Sequence, residues 1–222
     1  MQALGRLLGS ASRLRVLCIG AHCDDIEIGC GATLLRLAGE RELDVSWLVL
    51  SSTPARAAEC EQSAKRFLAK ARRREIRIES FRDGYLPAHW AEAKDTFESV
   101  KRTARPDLIF THERDDRHQD HRLTCELTWN TFRDHTILEY EIPKYDGGLG
   151  QPNFYVPVAP AIAARKVKFL QSSYPSQRDK RWFSEDAFLA LMRLRGIECN
   201  AARGLAEAKA FGARDRKPED TP

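Results

Sequence analysis

Short apolar runs alternate with amphipathic segments between residues 15 and 142. Five runs rich in β-branched or aromatic residues predict strands, at residues 15–20, 43–52, 75–81, 106–112 and 136–142. Segments with helical patterning lie between them and predict helices at residues 31–40, 55–70, 91–104 and 118–132. Regular alternation of strand and helix is typical of an α/β fold whose parallel sheet is covered on both faces.

The pattern changes after residue 143. A stretch rich in proline and glycine predicts a long loop with one short strand at 153–158, followed by helices near 160–172, 184–195 and 202–211. Right-handed crossovers favour a doubly wound sheet for the first five strands, with the order about 3-2-1-4-5. We find no linker and no internal repeat. We therefore expect a single domain over residues 1–222, in which 1–13 and 212–222 are peripheral or frayed.

The composition excludes several classes of protein. The 36 Lys and Arg residues against 32 Asp and Glu give a net charge of +4, which is too mild to predict a nucleic-acid partner. Basic blocks such as residues 70–74 are solvated helix ends or steer an anionic substrate. No apolar run reaches the roughly 18 residues of a membrane span, and the N-terminus lacks the apolar region of a signal peptide. The six cysteines form no CxxC pair, which favours reduced thiols and a cytoplasmic protein.

Two dense polar clusters follow the first and fourth predicted strands. The first is AHCDDIEIGCG (21–31), and the second is THERDDRHQDHR (111–122). In the order 3-2-1-4-5 these strands are neighbours, so both clusters face the switch point where α/β sheets bind ligands. Two histidines and a carboxylate suit zinc, and three protein ligands with one open position are typical of a catalytic site. The alternatives are an aspartate helix cap and a surface histidine pair.

These clusters carry a family resemblance. AHCDDIEIGCGATLLRL resembles the AHPDDE-type signature of the PIG-L/LmbE family of zinc-dependent deacetylases, and HQDH resembles the HxDH signature of that family. Weaker similarity extends through residues 141–145, 174–177 and 205–211. The resemblance implies a Rossmann-like fold and hydrolysis of an N-acyl group, commonly from sugars of the N-acetylglucosamine type.

The resemblance also implies roles for individual residues. The zinc ligands are His22, Asp25 and His121. Asp24 is the general base. His118 is the general acid or oxyanion stabiliser, and Asp120 orients a neighbouring imidazole. Ferrous iron would suit the same two histidines and one carboxylate.

The chain departs from the signature at two positions. Cys23 replaces the usual proline, and its thiol either competes as a ligand or packs inward as a small side chain. Ile26 separates the acidic pair from Glu27, so the glutamate that normally follows the pair directly is missing. The expected ligands and the expected base are intact.

Other polar and aromatic residues are secondary candidates. Arg56 contacts a substrate hydroxyl or forms a surface salt bridge, and Asp83 binds sugar hydroxyls or belongs to a plain turn. His112 lines the site or is a core histidine. Trp90 is a candidate for stacking on a sugar, and the loop over 143–157 is a candidate specificity rim. The remaining tryptophans are expected in the core: Trp47, Trp129 and Trp182.

The sequence therefore predicts a metal-dependent hydrolase that removes the N-acetyl group from an acetamido sugar or glycoconjugate through zinc-activated water. Three alternatives remain open. The first is an amidohydrolase of a non-sugar amide, and the second is a non-catalytic carbohydrate-binding module. The third is a phosphoacceptor receiver domain, which expects an aspartate on strand three, where the chain offers only Asp83 past the strand end. The oligomeric state is not predicted.

Overall fold

A seven-stranded sheet with helices on both faces forms the fold, and the computed structural model describes residues 11–147 and 149–211. The strands are β1 (Arg13–His22), β2 (Glu42–Ser51), β3 (Arg73–Phe81), β4 (Leu108–His112), β5 (Ile137–Tyr140), β6 (Phe154–Pro157) and β7 (Ala206–Phe211). The α-helices are α1 (Asp25–Glu40), α2 (Pro54–Phe67), α3 (Trp90–Thr103), α4 (Gln119–Thr131), α5 (Pro160–Ser173) and α6 (Glu185–Glu198). Two 3₁₀ turns cover Leu86–His89 and Pro175–Gln177.

The strand order is β3-β2-β1-β4-β5-β7-β6. Strands β1 to β5 pair in parallel, which confirms the predicted order 3-2-1-4-5. Strand β7 pairs antiparallel with both β5 and β6 and extends the sheet beyond the predicted strands. The winding direction reverses between β1 and β4, so their carboxyl ends form the switch point.

The central strand β1 shows why both faces of the sheet are covered. Leu17 and Ile19 pack in a cluster with side chains of α3 and α4. Val16 and Cys18 point to the other face and join a second cluster with α1, α2, α5 and α6. Because a strand buried on both faces leaves no polar face, the polar side chains concentrate at the strand ends.

The prediction of a helix at 202–211 is wrong, because this segment contains β7. Alanines at alternate positions have high helix propensity, which tertiary contacts override. Ala206 and Ala208 are buried, and so are Glu207 and Lys209, which alternate with them. The charged pair finds partners on α1 and α5, because residues two positions apart in an extended strand point to the same face.

Two further points concern boundaries. Helix α1 begins at Asp25 rather than at residue 31, so the first polar cluster forms its first turn. The frayed ends that the sequence predicts fall mostly on residues 1–10 and 212–222, outside the described residues.

Within the described ranges, no helix combines the length and the apolar character needed to cross a membrane.

Gly29 lets α1 lie against β5. A Cβ atom at this position would lie 2.1 Å from Cδ2 of the buried Tyr140, whose hydroxyl donates to the Ile19 carbonyl. We therefore expect Gly29→Ala to lower the free energy of unfolding by about 1–3 kcal/mol or more. Gly39→Ala is the matched control on the same helix, because among the described residues no atom outside its own helical turn lies within 4 Å of a Cβ added there. Urea unfolding should show the control unchanged or stabilised by up to about 1 kcal/mol; equal losses in both variants would contradict the packing argument.

Candidate active site

The polar clusters meet in a cavity of about 840 Å³ at the carboxyl edge of the sheet. His22 is the last residue of β1, and His118 caps the start of α4 beyond β4. Helix α1 starts at the same edge and brings Asp25 to the cavity wall, and the first turn of α4 brings His121. The two clusters, about a hundred residues apart in sequence, therefore line one cavity.

Three donor atoms form a compact triangle in this cavity. His22 Nδ1 lies 3.1 Å from His121 Nε2 and 3.3 Å from Asp25 Oδ2. Asp25 Oδ2 and His121 Nε2 are 3.6 Å apart. Tetrahedral coordination with bonds of about 2.0–2.1 Å places ligand atoms about 3.3 Å from each other. The triangle fits one divalent ion and leaves a fourth position free for a water or a substrate.

Neighbouring side chains give three overlapping groups of potential ligands: His22 with His118 and His121, Asp25 with His112 and His121, and His22 with Asp83 and Asp120. Two of these groups contain a ring nitrogen that already makes a different contact. His112 Nε2 accepts a hydrogen bond from the Ala21 amide at 2.9 Å. Asp83 and Asp120 contact Nε2 of His22, the ring nitrogen opposite the triangle.

The adjacent aspartates point in different directions because of the backbone at Asp24. This residue has φ = 101°, in the left-handed region, which for a residue other than glycine costs about 1–3 kcal/mol. Its carboxylate makes no capping hydrogen bond to α1, so the interpretation of the pair as a helix cap is wrong for this side chain. Asp24 Oδ1 instead lies 3.2 Å from Nη2 of Arg56.

The two carboxylates also differ in charge state. Burial raises the pKa of Asp24 to about 7, although the Arg56 guanidinium opposes the shift. Asp24 Oδ2 is buried and has no hydrogen-bond partner among the described residues. Burial works against the charged form of Asp25 as well, but the His121 and His112 imidazoles hold its pKa well below the usual range. Asp24 is thus suited to exchange a proton near neutral pH, whereas Asp25 stays anionic.

Asp120 holds the ring of His22. Its carboxylate accepts hydrogen bonds from the amides of Gly84 (2.7 Å) and Leu86 (3.1 Å) and lies 3.1 Å from His22 Nε2. Because Asp120 contacts Nε2 of His22, the other ring nitrogen, Nδ1, is the one that contributes to the donor triangle. This geometry is compatible with the orienting role that the family resemblance implies for Asp120.

Asp116 is a residue that the sequence patterns did not single out. Its carboxylate lies 2.9 Å from His121 Nδ1, accepts from Lys144 Nζ at 2.7 Å and accepts from the His118 amide at 2.8 Å. It fixes the His121 ring with Nε2 toward the triangle. The available signal was its position two residues before His118 within a run of charges.

We expect Asp116→Asn to weaken metal binding about 10- to 100-fold, because an amide no longer holds the imidazole through a charged partner. Titration with a competing chelator measures the change. Asp115→Asn is the matched control, since the neighbouring aspartate is exposed. The same loss of affinity in both variants would show a general charge effect instead of an orienting contact.

The secondary candidates occupy distinct places around the cavity. Arg56 lines it, donates to the Cys23 carbonyl and to Ser176 Oγ, and has its Nη1 3.8 Å from Glu59 Oε2, so the salt bridge forms at the cavity wall and not on the open surface. Asp83 lies at the mouth, with 79% of its side chain exposed. The Cys23 side chain packs in the hydrophobic core with Sγ 3.9 Å from the Ser51 carbonyl oxygen, which matches the interpretation as an inward-packed side chain.

The remaining histidine and aromatic candidates divide between core and cavity. His112 is fully buried and stacks on His121 with ring centres 3.9 Å apart, so it supports the ligands from the core. Trp182 packs against the core, as the sequence predicts, and also lines the cavity. Trp90 is exposed and is not among the lining residues. The loop after β5 contributes Lys144, Tyr145 and Asp146 to the wall.

Comparisons with known proteins identify the family to which the chain is similar. The sequence profile of the family described as PIG-L: GlcNAc-PI de-N-acetylase matches residues 17–132. The uncharacterized deacetylase YaiS of Escherichia coli (strain K12) is 30% identical over 148 residues, which are 62% of this chain and 79% of YaiS.

Two solved structures share the fold. The conserved protein TT1542 from Thermus thermophilus has a TM-score of 0.71 at 22% identity, with 94% of this chain and 100% of that chain covered. The N,N'-diacetylchitobiose deacetylase from Pyrococcus horikoshii has a TM-score of 0.69 at 19% identity, with 98% and 94% covered. At these identities the likeness concerns the architecture.

Proposed function

The chain belongs to the PIG-L family of deacetylases, and from this premise we propose that it removes the N-acetyl group from an acetamido sugar or its conjugate by metal-dependent hydrolysis. One observation carries the proposal. A triangle of donor atoms that fits a divalent ion lies beside a buried carboxylate oxygen without a partner among the described residues, in a cavity large enough for a glycoside.

His22, Asp25 and His121 would hold the ion. Two imidazoles and one carboxylate suit Zn²⁺, and Fe²⁺ suits the same set. When bound, such an ion lowers the pKa of a water molecule and polarises the acyl oxygen of an amide. Asp25 supplies the negative charge of the ligand set, and Asp120 and Asp116 keep the two imidazoles in place.

Asp24 would move the proton. Its free Oδ2 accepts a proton from the attacking water and passes it to the nitrogen of the leaving amine, so that one carboxylate serves as base and then as acid. A pKa of about 7 lets it take either role near neutral pH. Arg56 holds the other oxygen at 3.2 Å and fixes the direction in which Oδ2 points.

His118 would stabilise the charge that develops on the acyl oxygen. Its Nδ1 accepts a hydrogen bond from the Asp120 amide at 3.2 Å, so the neutral ring carries its proton on Nε2. Burial lowers the pKa of His118, and the neutral ring is therefore the donor. Asp83, which is exposed at the mouth of the cavity, would accept hydrogen bonds from sugar hydroxyls.

All six cysteines are free and buried, which favours a reducing compartment, and we place the enzyme in the cytoplasm on that ground. The partner is a small-molecule substrate. No feature of the described residues calls for a nucleic-acid ligand.

The test is acetate release by the purified protein. We expect release from at least one compound in a panel of acetamido sugars, their glycosides and nucleotide sugars. A chelator should abolish the activity, and Zn²⁺ or Fe²⁺ should restore it. Release from non-sugar amides alone would establish an amidohydrolase instead. Absence of hydrolysis together with absence of stoichiometric metal binding would favour a non-catalytic module.

A further inference from the structure

Lys144 lies in the loop after β5 and points into the protein instead of into the solvent. Ile142 before it is buried, and Pro143 fixes the backbone as the chain leaves the sheet. Tyr145 after it is exposed, whereas the side chain of Lys144 is only 13% exposed at the cavity wall. A lysine buried to this degree needs a partner of opposite charge.

The partner of Lys144 is the carboxylate that also holds His121. Lys144 Nζ lies 2.7 Å from Asp116 Oδ2, and the same oxygen lies 2.9 Å from His121 Nδ1. The other oxygen, Oδ1, accepts a hydrogen bond from the His118 amide at 2.8 Å. Asp146 of the same loop is a weaker partner, with Oδ1 3.7 Å from Nζ. The loop and the start of α4 therefore fix the two oxygens of one carboxylate.

The ammonium group restricts the rotation of this carboxylate. The torsion that turns an aspartate carboxylate, χ2, has broad minima and defines the oxygen positions poorly by itself. Lys144 holds Oδ2 at the position where it meets Nδ1 of His121. The side chain of Asp116 is 3% exposed, so little water reaches the carboxylate to replace the ammonium group. Since Nδ1 and Nε2 belong to one rigid ring, this contact also sets the direction of Nε2 toward the donor triangle.

We propose that Lys144 is a positioning residue, which holds the His121 ring through Asp116 in the orientation that binds the metal and so links the loop after β5 to the metal centre. The inference rests on the metal site of the proposed function and adds a residue to its support. The alternatives are that Lys144 only fastens the loop, or that it only contacts the substrate from the cavity wall.

The first test is metal affinity. Lys144→Met removes the ammonium group and keeps most of the side-chain length, and we expect the affinity for Zn²⁺, titrated against a competing chelator, to fall about 10-fold. Lys144→Arg keeps the charge and should recover most of this loss. Lys144→Gln should lose affinity as Lys144→Met does, so the result does not depend on the folding of a single variant. Urea unfolding identifies the variants that are folded.

A double-mutant cycle shows whether Lys144 acts through Asp116. In the Asp116→Asn background, Lys144→Met should change the Zn²⁺ affinity less than about 2-fold, because the carboxylate that Lys144 holds is already gone. Losses that multiply would mean independent roles and would overturn the inference.

Lys180→Met is the matched control. This lysine also lines the cavity, but it packs on an aromatic ring, with Nζ 5.7 Å from the centre of the Trp182 ring. The substitution removes the same charge from the same cavity and should leave the Zn²⁺ affinity unchanged. A loss equal to that of Lys144→Met would show a general effect of cavity charge and contradict a role in positioning.

A further readout needs no turnover, because coupling between two sites is reciprocal. If Lys144 links the loop to His121, binding of Zn²⁺ should slow amide hydrogen exchange in the loop around Lys144. This slowing should disappear in Lys144→Met. A lysine that only fastens the loop would instead speed exchange in the variant equally with and without Zn²⁺, and that result would overturn the link.

The inference and the proposed function fail separately. Unchanged Zn²⁺ affinity in Lys144→Met, with a loss confined to KM, would show a substrate contact and leave the deacetylase intact. Affinity that weakens as expected in a protein that releases no acetate would support the positioning role and overturn only the deacetylase. No stoichiometric binding of Zn²⁺ or Fe²⁺ by the unaltered protein would overturn the metal site and the inference together.

Discussion

Asp24→Asn should slow acetate release about 100- to 10,000-fold and leave the bound metal in place. The change removes the carboxylate oxygen that is buried at the cavity wall without a partner among the described residues. Asparagine has nearly the same shape, and it tolerates the left-handed backbone at φ = 101° as readily as aspartate does. Alanine would add backbone strain and confuse the result. Acetate assays and metal analysis of the same protein samples measure both properties.

The neighbouring carboxylate provides the sharpest comparison. Asp25→Asn should lose metal as well as activity, because Asp25 Oδ2 belongs to the donor triangle. Asp115→Asn, at an exposed position, should change neither property. Full activity in Asp24→Asn would eliminate this residue as the base. Loss of metal in Asp24→Asn would mean that the two carboxylates share the ligand role.

The position of the site could be predicted from the sequence because it depends on local patterns. Apolar runs mark the parallel strands, and crossover handedness restricts their order. Two polar clusters that follow neighbouring strands must then meet, and the distances between His22, Asp25 and His121 show that they do.

Contacts between segments distant in sequence could not be predicted in this way. Lys144 reaches Asp116 from a loop without repeating pattern, and Trp182 turns toward the cavity from the segment before α6. The hydrophobic pattern of a helix or strand assigns each of its residues to one face of that element. A residue in a loop has no such pattern, so the direction of its side chain cannot be predicted in this way. Such residues form part of the cavity wall, so the patterns predict the donor triangle better than the wall around it.

Strand β7 shows the same limit within the fold itself. Glu207 is buried with Lys166 of α5, whose Nζ lies 2.5 Å from its Oε1, and with Lys209 at 3.7 Å. Its carboxylate also accepts hydrogen bonds from the amides of Ala32 and Thr33. The two lysines donate to carbonyls one turn earlier in α1, those of Ile28 and Gly29. Strand β7 thereby holds the helix whose first turn carries Asp25.

Glu207→Gln should therefore lower the free energy of unfolding by about 3–5 kcal/mol, because two ammonium groups remain buried without their counter-charge. Burial opposes the charged form of Glu207, but the two lysines outweigh it and lower its pKa in the folded protein. The stabilisation is present above the unfolded pKa of about 4.3 and is lost as the pH falls through the lower folded value. Urea unfolding of both proteins should show the full difference at pH 7 and a smaller one in acid.

Glu75→Gln, at an exposed position on β3, is the control that should change stability by less than about 0.5 kcal/mol. A loss no larger than that of this control would mean that β7 is held by its strand pairing alone, and that the buried charges add nothing to the support of α1.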